Sequence, residues 1–145
     1  MRAVVQRVSK GQVKVAGASL ASISNGLVIL LGIGPDDTRE KAEFMAKKIA
    51  YLRIFDDGEG KMNLSVRDVE GEAIVVSQFT LMADTNKGNR PSFIKAAPPE
   101  TASPLVDYFI EQLQSHGVPT GSGEFGAHML VEIHNDGPVT ILFDI

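Results

Sequence analysis

Cysteine is absent from the 145 residues. That excludes a disulfide framework, a thiolate nucleophile and a cysteine metal site, and it fits a reducing compartment. Basic residues are absent after Lys95. All fourteen Lys and Arg lie between Arg2 and Lys95, where eleven acids leave a balance of +3; the last 50 residues hold seven acids and no base, a balance of −7. A polyanionic partner is therefore expected against the first part of the chain. No apolar run approaches the length that spans a bilayer. Met1 leads straight into RAVVQRVSKG, with no apolar core or cleavage site of an export signal, so the expected setting is cytoplasmic.

Several catalytic signatures are missing as well. His116, His128 and His134 lack the H-E-x-x-H spacing and any cysteine support, which argues against zinc. The dense carboxylates of Asp56-Asp57-Gly58-Glu59-Gly60 lack the spacing and terminal bidentate Glu of a calcium loop. There is no G-x-S-x-G elbow and no glycine-rich phosphate loop. A histidine brought close to Ser77 or Thr80 by folding would leave a serine hydrolase open.

What is present suits one soluble domain spanning residues 1–145: 43% of residues are apolar and 22% charged, enough for one core. The chain is organised around Gly71–Leu81, GEAIVVSQFTL. Ala73–Val76 reads as a strand buried on both faces. It ends in Ser77, Gln78 and Thr80, with Phe79 and Leu81 between, so short polar groups stand at the rim of a core where a pocket can be lined. A plainer reading has Ser77 and Thr80 bonding only the turn that follows.

Arg2–Ser9 and Gln12–Ala16 alternate about Lys10-Gly11 and read as a hairpin. Ser19–Ser24 is a short strand candidate and Leu27–Ile33 a second central strand. A helix is expected from about Thr38 to Leu52, with Asp37 and Glu40 as a capping pair. Lys41, Lys47 and Lys48 lie off its apolar stripe, as a solvated face or as phosphate contacts. Arg7, among valines, is either an exposed strand residue or a five-donor fork reaching across the sheet. Lys61–Val69 reads as an edge strand or an extended arm, and Met82–Ile94 as a long irregular loop. Arg90 in that loop is a candidate clamp for an anion, or else a pin for the loop itself. A second helix is expected to start at Ser103, its cap, with Pro104 as first helical residue, and to close at Gly117. Val118–Gly126 reads as a flexible loop carrying Phe125. Met129–Ile133 and Ile141–Ile145 are strands flanking Asn135-Asp136-Gly137-Pro138-Val139-Thr140. Groups of strands separated by two main helices give an α+β class with a mixed or antiparallel sheet core.

Ser77-Gln78-Phe79-Thr80-Leu81, together with Asn135 to Thr140, resembles the paired signature motifs of the D-aminoacyl-tRNA deacylase family. The resemblance extends through Gln6-Arg7-Val8, Gly60 to Leu64, Gly88 to Phe93 and the final strand, essentially the whole chain. It implies that family's fold and a cytoplasmic homodimer that hydrolyses the ester between a D-amino acid and the terminal adenosine of tRNA, a chiral proofreading step in translation quality control. It implies that Gly137-Pro138 is cis and enters the neighbouring subunit's pocket, where its carbonyls read the α-carbon. L-aminoacyl groups are then excluded, and glycine, with no side chain to exclude, is expected to pass. Ser77–Leu81 forms the other wall. In such proteins the residue matching Thr80 has been regarded as a nucleophile, while a later view gives that role to the RNA's own 2′-hydroxyl. No metal or organic cofactor is implied.

The residue chemistry is compatible with that account. An aminoacyl ester is already activated, so orientation and hydrogen bonds to the developing oxyanion suffice. Thr80 has no sequence-local base. Backbone N–H groups around Phe79-Thr80 are therefore expected to carry the stabilisation, with the hydroxyls positioning. The candidate site comprises Ser77, Gln78, Phe79 and Thr80 as the catalytic wall, and Gly137, Pro138, Val139, Thr140, Arg7, Asn135, Phe125 and Arg90 for substrate binding. Two alternatives remain: an esterase or amidase of small D-amino-acid derivatives, and a non-catalytic RNA-binding dimer. The second is poorly served by two tyrosines and a base-free C-terminal third.

Overall fold

Two buried apolar strands fix the middle of the sheet. In the computed structural model, which describes residues 1–145, β3 (Gly26–Gly32) and β6 (Glu72–Ser77) pair in parallel, Leu27 opposite Ala73 and Leu31 opposite Ser77. Parallel neighbours require a crossover. α1 (Arg39–Ala50) supplies it, followed by the small hairpin of β4 (Phe55–Asp56) and β5 (Met62–Leu64). α2 (Pro99–Ser115) supplies the next, from β6 to β7 (Thr120–Ser122), which pairs Ala73 with Thr120 in parallel. Because both crossovers step the same way across the sheet, right-handed connection puts both helices on one face. There Met45, Ile49, Phe109 and Leu113 meet Val5, Leu27, Ile29 and Val75 in a core of 24 buried residues.

The other face is covered by the chain's own first strand. β1 (Arg2–Val15) runs unbroken through Lys10-Gly11, so the expected hairpin there does not form. Its first half pairs with β3. Its second half pairs with β2 (Ala18–Ile23), which takes up the expected Ser19–Ser24 strand. Along its other edge lies β8 (Leu130–Asp144). Register shifts around Val8 let the strand change its buried face: Ala3 and Val5 point to the helices, whereas Val8 and Val13 join Ile23, Val28, Ile74 and Val76 in a second cluster. Gly11 sits at this fold-over, where a Cβ would lie 2.7 Å from Val28 Cγ2. β8 likewise runs through Asn135–Thr140, joining the two expected terminal strands with an irregular stretch between Gln6 and Lys10 of its partner. The α+β class, with a mixed sheet and two main helices, is as expected.

Helix starts differ from expectation. Thr38, not Asp37, caps α1, its hydroxyl accepting from Lys41 N at 3.4 Å. α2 begins at Pro99 after Pro98, and Pro104 falls inside it rather than at its start. Pro99 also suits the first turn, so the dipeptide at 98–99 pre-empts Ser103. β7 stands within the expected Val118–Gly126 loop.

Asp37 has another task. Its carboxylate accepts from the Met1 ammonium at 2.7 Å, Gly34 N at 2.7 Å and Lys41 Nζ at 3.1 Å, and it is 3% exposed. Burial would raise its pKa; these hydrogen bonds outweigh that and hold it below the usual carboxylate value. A carboxyl whose folded pKa is depressed stabilises fully above its unfolded value near 3.8 and loses that contribution as pH falls through the folded value. Asp37→Asn should therefore lower stability at pH 7 by about 2 kcal/mol and leave acid denaturation less steep below pH 4. Urea melts at pH 7 and pH 3 check this, and an equal loss at both would contradict it.

Candidate active site

Parallel strands end where ligands commonly bind, beyond their carboxyl ends. β6 reaches that end buried through Val76, half-exposed at Ser77 and Gln78, then exposed at Phe79 and Thr80. Gln78 N donates to Leu31 O at 2.8 Å, fixing the exit against β3. The backbone then coils into a 3-10 turn, Phe79–Met82, with Leu81 N on Gln78 O at 3.2 Å and Ala83 N on Thr80 O at 3.1 Å. Its opening N–H groups, of Phe79 and Thr80, have no acceptor within the turn. Gln78 Nε2 donates to Thr80 Oγ1. Phe79 packs edge-on against Phe93, centroids 5.1 Å apart at 72°.

Beside this exit lies a largely apolar cleft of about 510 Å3. Ser77, Gln78 and Phe79 form one wall; Ala97, Pro99 and Ala102 at the start of α2 form another. Phe125 to Met129, running from β7 back to β8, closes a third side. The structure thus brings Phe125 to Ser77, Gln78 and Phe79. Thr80 is tied to the wall through Gln78 but is not part of the lining. Arg90 stands exposed in the loop closed by the reciprocal Asp84–Ser92 bonds, is not among the residues that line the cleft, and makes no ion pair or hydrogen bond. Asp84 anchors that loop. Asn86 N–H first and Lys95 next hold its carboxyl below the usual range.

Asn135–Thr140 forms an exposed corner on β8, and none of its residues lines the cleft. The corner is braced from within. Asn135 Oδ1 accepts from Val139 N at 2.9 Å and Asn135 Nδ2 donates to Thr140 Oγ1 at 2.9 Å. Gln6 Nε2 also reaches Thr140 Oγ1, at 3.3 Å. The Gly137-Pro138 peptide bond is cis.

Arg7 settles between its two readings as the fork. It is 8% exposed and donates from Nε to Asp136 O at 3.1 Å and from Nη1 to Ile54 O at 2.8 Å. Asp56 and Asp136 carboxylates stand at 3.6 and 3.8 Å. Two backbone carbonyls from distant segments are so clamped by one rigid group, and the corner is held to the body of the domain.

Sequence reasoning missed His128, Met129 and Val131 in the cleft, together with the α2 side of the wall. They arrive because β7, a Thr-Gly-Ser strand with weak strand propensity, docks on β6 and leads the following loop across its end. Nothing local to residues 125–131 signals that. His128 makes no hydrogen bond to Ser77 or Thr80, so no serine–histidine or threonine–histidine couple is formed. No group of three or more His, Asp or Glu is arranged to hold a metal ion.

Comparison with known proteins matches this architecture along its length. The sequence model of the D-Tyr-tRNA(Tyr) deacylase family matches residues 4–144. A D-aminoacyl-tRNA deacylase of Roseiflexus castenholzii is 57% identical over 144 residues, 99% of this chain and 92% of that protein. One from Thermosipho africanus is 51% identical, over 99% and 97%. Among solved structures, the c-Myc DNA Unwinding Element Binding Protein superposes with TM-score 0.93 at 44% identity, covering 100% of this chain and 99% of that one. A probable eukaryotic D-amino acid tRNA deacylase, at 19% identity, TM-score 0.86 and coverage of 99% and 98%, shares the fold. With the wall at Ser77–Thr80 and the corner at Asn135–Thr140 both in place, the chain belongs to the D-aminoacyl-tRNA deacylase family and is an ester hydrolase of that type.

Proposed function

We propose that the chain hydrolyses the ester joining a D-amino acid to the 3′-terminal adenosine of tRNA, as a homodimer in which each Gly137-Pro138 corner completes the other subunit's cleft. One observation carries the dimeric reading. The cleft has the Ser77–Phe79 wall but none of Asn135–Thr140, while that corner stands exposed on the unpaired edge of β8. Leu130 and Leu142, 61% and 75% exposed on the same strand, give that edge apolar surface for a second copy to cover. Charged tRNA is a cytoplasmic substrate, which sets the expected compartment.

The chemistry needs little from side chains. The ester is reactive, so holding it with its carbonyl oxygen toward the N–H groups of Phe79 and Thr80 stabilises the charge that develops on attack. Thr80 Oγ1 accepts a hydrogen bond from the Gln78 amide and has no base to take its proton, which suits positioning rather than nucleophilic attack. The ribose 2′-hydroxyl, adjacent to the ester, assists instead. Backbone carbonyls at the corner, directed at the α-carbon, accept one arrangement of substituents and clash with the other. Glycine passes because it offers nothing to clash.

The test is hydrolysis of matched D-aminoacyl-, L-aminoacyl- and glycyl-tRNA. Release of D-amino acid and glycine with the L-form spared is expected; equal D and L rates would contradict the proposal. Faster turnover of free D-amino-acid esters than of charged tRNA would instead make this a small-substrate esterase. His128→Ala should keep its rate within about threefold, whereas a general base lost from the cleft would cost roughly 10²–10⁴-fold.

A further inference from the structure

Six of the fourteen basic side chains stand within 4.0 Å of a carboxylate: Arg2, Arg7, Lys14, Lys41, Lys61 and Lys95. Lys41, paired with Asp37, is thus already engaged. Of the eight left without such a partner, four converge at the C-terminal end of α1. Lys47 and Lys48 are exposed in its last turn, and Arg53 follows just beyond. Arg67 arrives from the segment after β5 and lays its guanidinium 4.4 Å from the centroid of Tyr51. Tyr51, 48% exposed, is continuous with Lys47 through its N–H on Lys47 O, and its ring also meets His116 edge-on at 5.7 Å. Asp68, whose carboxyl feels both arginines, is turned onto Ser65 N and Oγ, each at 2.8 Å. Cations backed by a half-exposed aromatic ring, none of them neutralised by a direct carboxylate contact, form a surface suited to a phosphate backbone.

We propose that Lys47, Lys48, Arg53 and Arg67 form the docking surface for the phosphates of the RNA body of the substrate. The inference rests on the tRNA-deacylase reading and adds where the RNA lies. Arg53 adjoins Ile54, whose carbonyl is held by Arg7, and Arg7 also holds the corner at Asp136. The segment that bears Arg53 is therefore tied through Arg7 to the element that enters the partner's cleft. An RNA whose 3′ end occupies one subunit's cleft then rests its phosphates on the other subunit. The exposed side of α2, with Glu100, Asp107 and Glu111, repels the same backbone.

The experiment measures binding of uncharged tRNA against salt concentration, beside turnover of D-aminoacyl-tRNA. It compares the wild type with Lys47→Gln/Lys48→Gln, Arg53→Gln/Arg67→Gln and a charge-matched control, Lys10→Gln/Arg39→Gln. Each test pair should weaken tRNA binding by roughly tenfold near physiological salt and flatten the log–log salt slope by about one unit for each phosphate no longer neutralised. Turnover at saturating tRNA should stay unchanged, and the control should bind as wild type. Wild-type affinity and slope in both test pairs would overturn the inference, as would equal weakening in the control, which would mean diffuse attraction. A partner other than RNA would likewise show as unchanged tRNA binding. Absence of deacylation by the wild type, with tRNA binding and its loss as described, would instead refute the activity and leave the RNA surface standing.

Discussion

Phe79→Pro should turn over D-aminoacyl-tRNA about 10²–10³-fold more slowly than Phe79→Ala. Both substitutions remove the ring that packs on Phe93, so the ratio reports what proline alone changes, the lost N–H of residue 79 and the ring that fixes its φ. Proline is tolerated there on backbone grounds. Residue 79 opens the 3-10 turn, where an N–H has no partner inside the turn. Gln78 before it, at φ −138°, ψ 78°, lies outside the α region that a following proline disfavours. A stable fold with a lost rate would assign the oxyanion to this N–H. Equal rates in the two variants would move it elsewhere.

Gly137→Val should be nearly as damaging by a different route. Gly137 has φ +125°, a region side-chain-bearing residues avoid, and a Cβ there would stand 2.9 Å from Val139 Cγ2 and 3.0 Å from Arg7 Nη2. The corner must shift and the Arg7 clamp must yield. Because most of the corner is exposed and only Val139, half-buried, packs against the main apolar cluster, folding should survive. Displacing a substrate-contacting element by about 1 Å costs roughly 10²-fold in rate. The expected result is at least that loss on D-aminoacyl-tRNA with a narrowed gap between D and L. An unchanged D-to-L ratio would show that the corner does not read chirality.

Legibility in the sequence follows the range of the physics involved. Leu27–Ile33 and Ala73–Val76 declare themselves, because a strand buried on both faces is apolar throughout. α1 shows its stripe at Ala42, Met45, Ala46 and Ile49. The polar exit Ser77–Thr80 is visible for the same reason, as a break in such a run. β1 is not, since Lys10-Gly11 carries a turn's composition while its backbone stays extended, held by β8 and β2 on its two edges. Arg7 is ambiguous because its role depends on Ile54 and Asp136, 47 and 129 residues away. The third side of the cleft, Phe125–Met129, is invisible except for Phe125, for its place is decided by the docking of β7. The separation of the corner from the cleft is wholly a property of topology.

That separation is tested most directly by mixing two inactive parents. Phe79→Pro damages the cleft and leaves its corner intact; Gly137→Val does the reverse. In a heterodimer one site combines both lesions and the other combines two undamaged parts. After subunit exchange in equal amounts, heterodimers make up half the population with one working site each, so activity should recover to about a quarter of wild type. Folded, exchanged heterodimers that remain as inactive as their parents would contradict the account, because each corner would then be serving its own subunit.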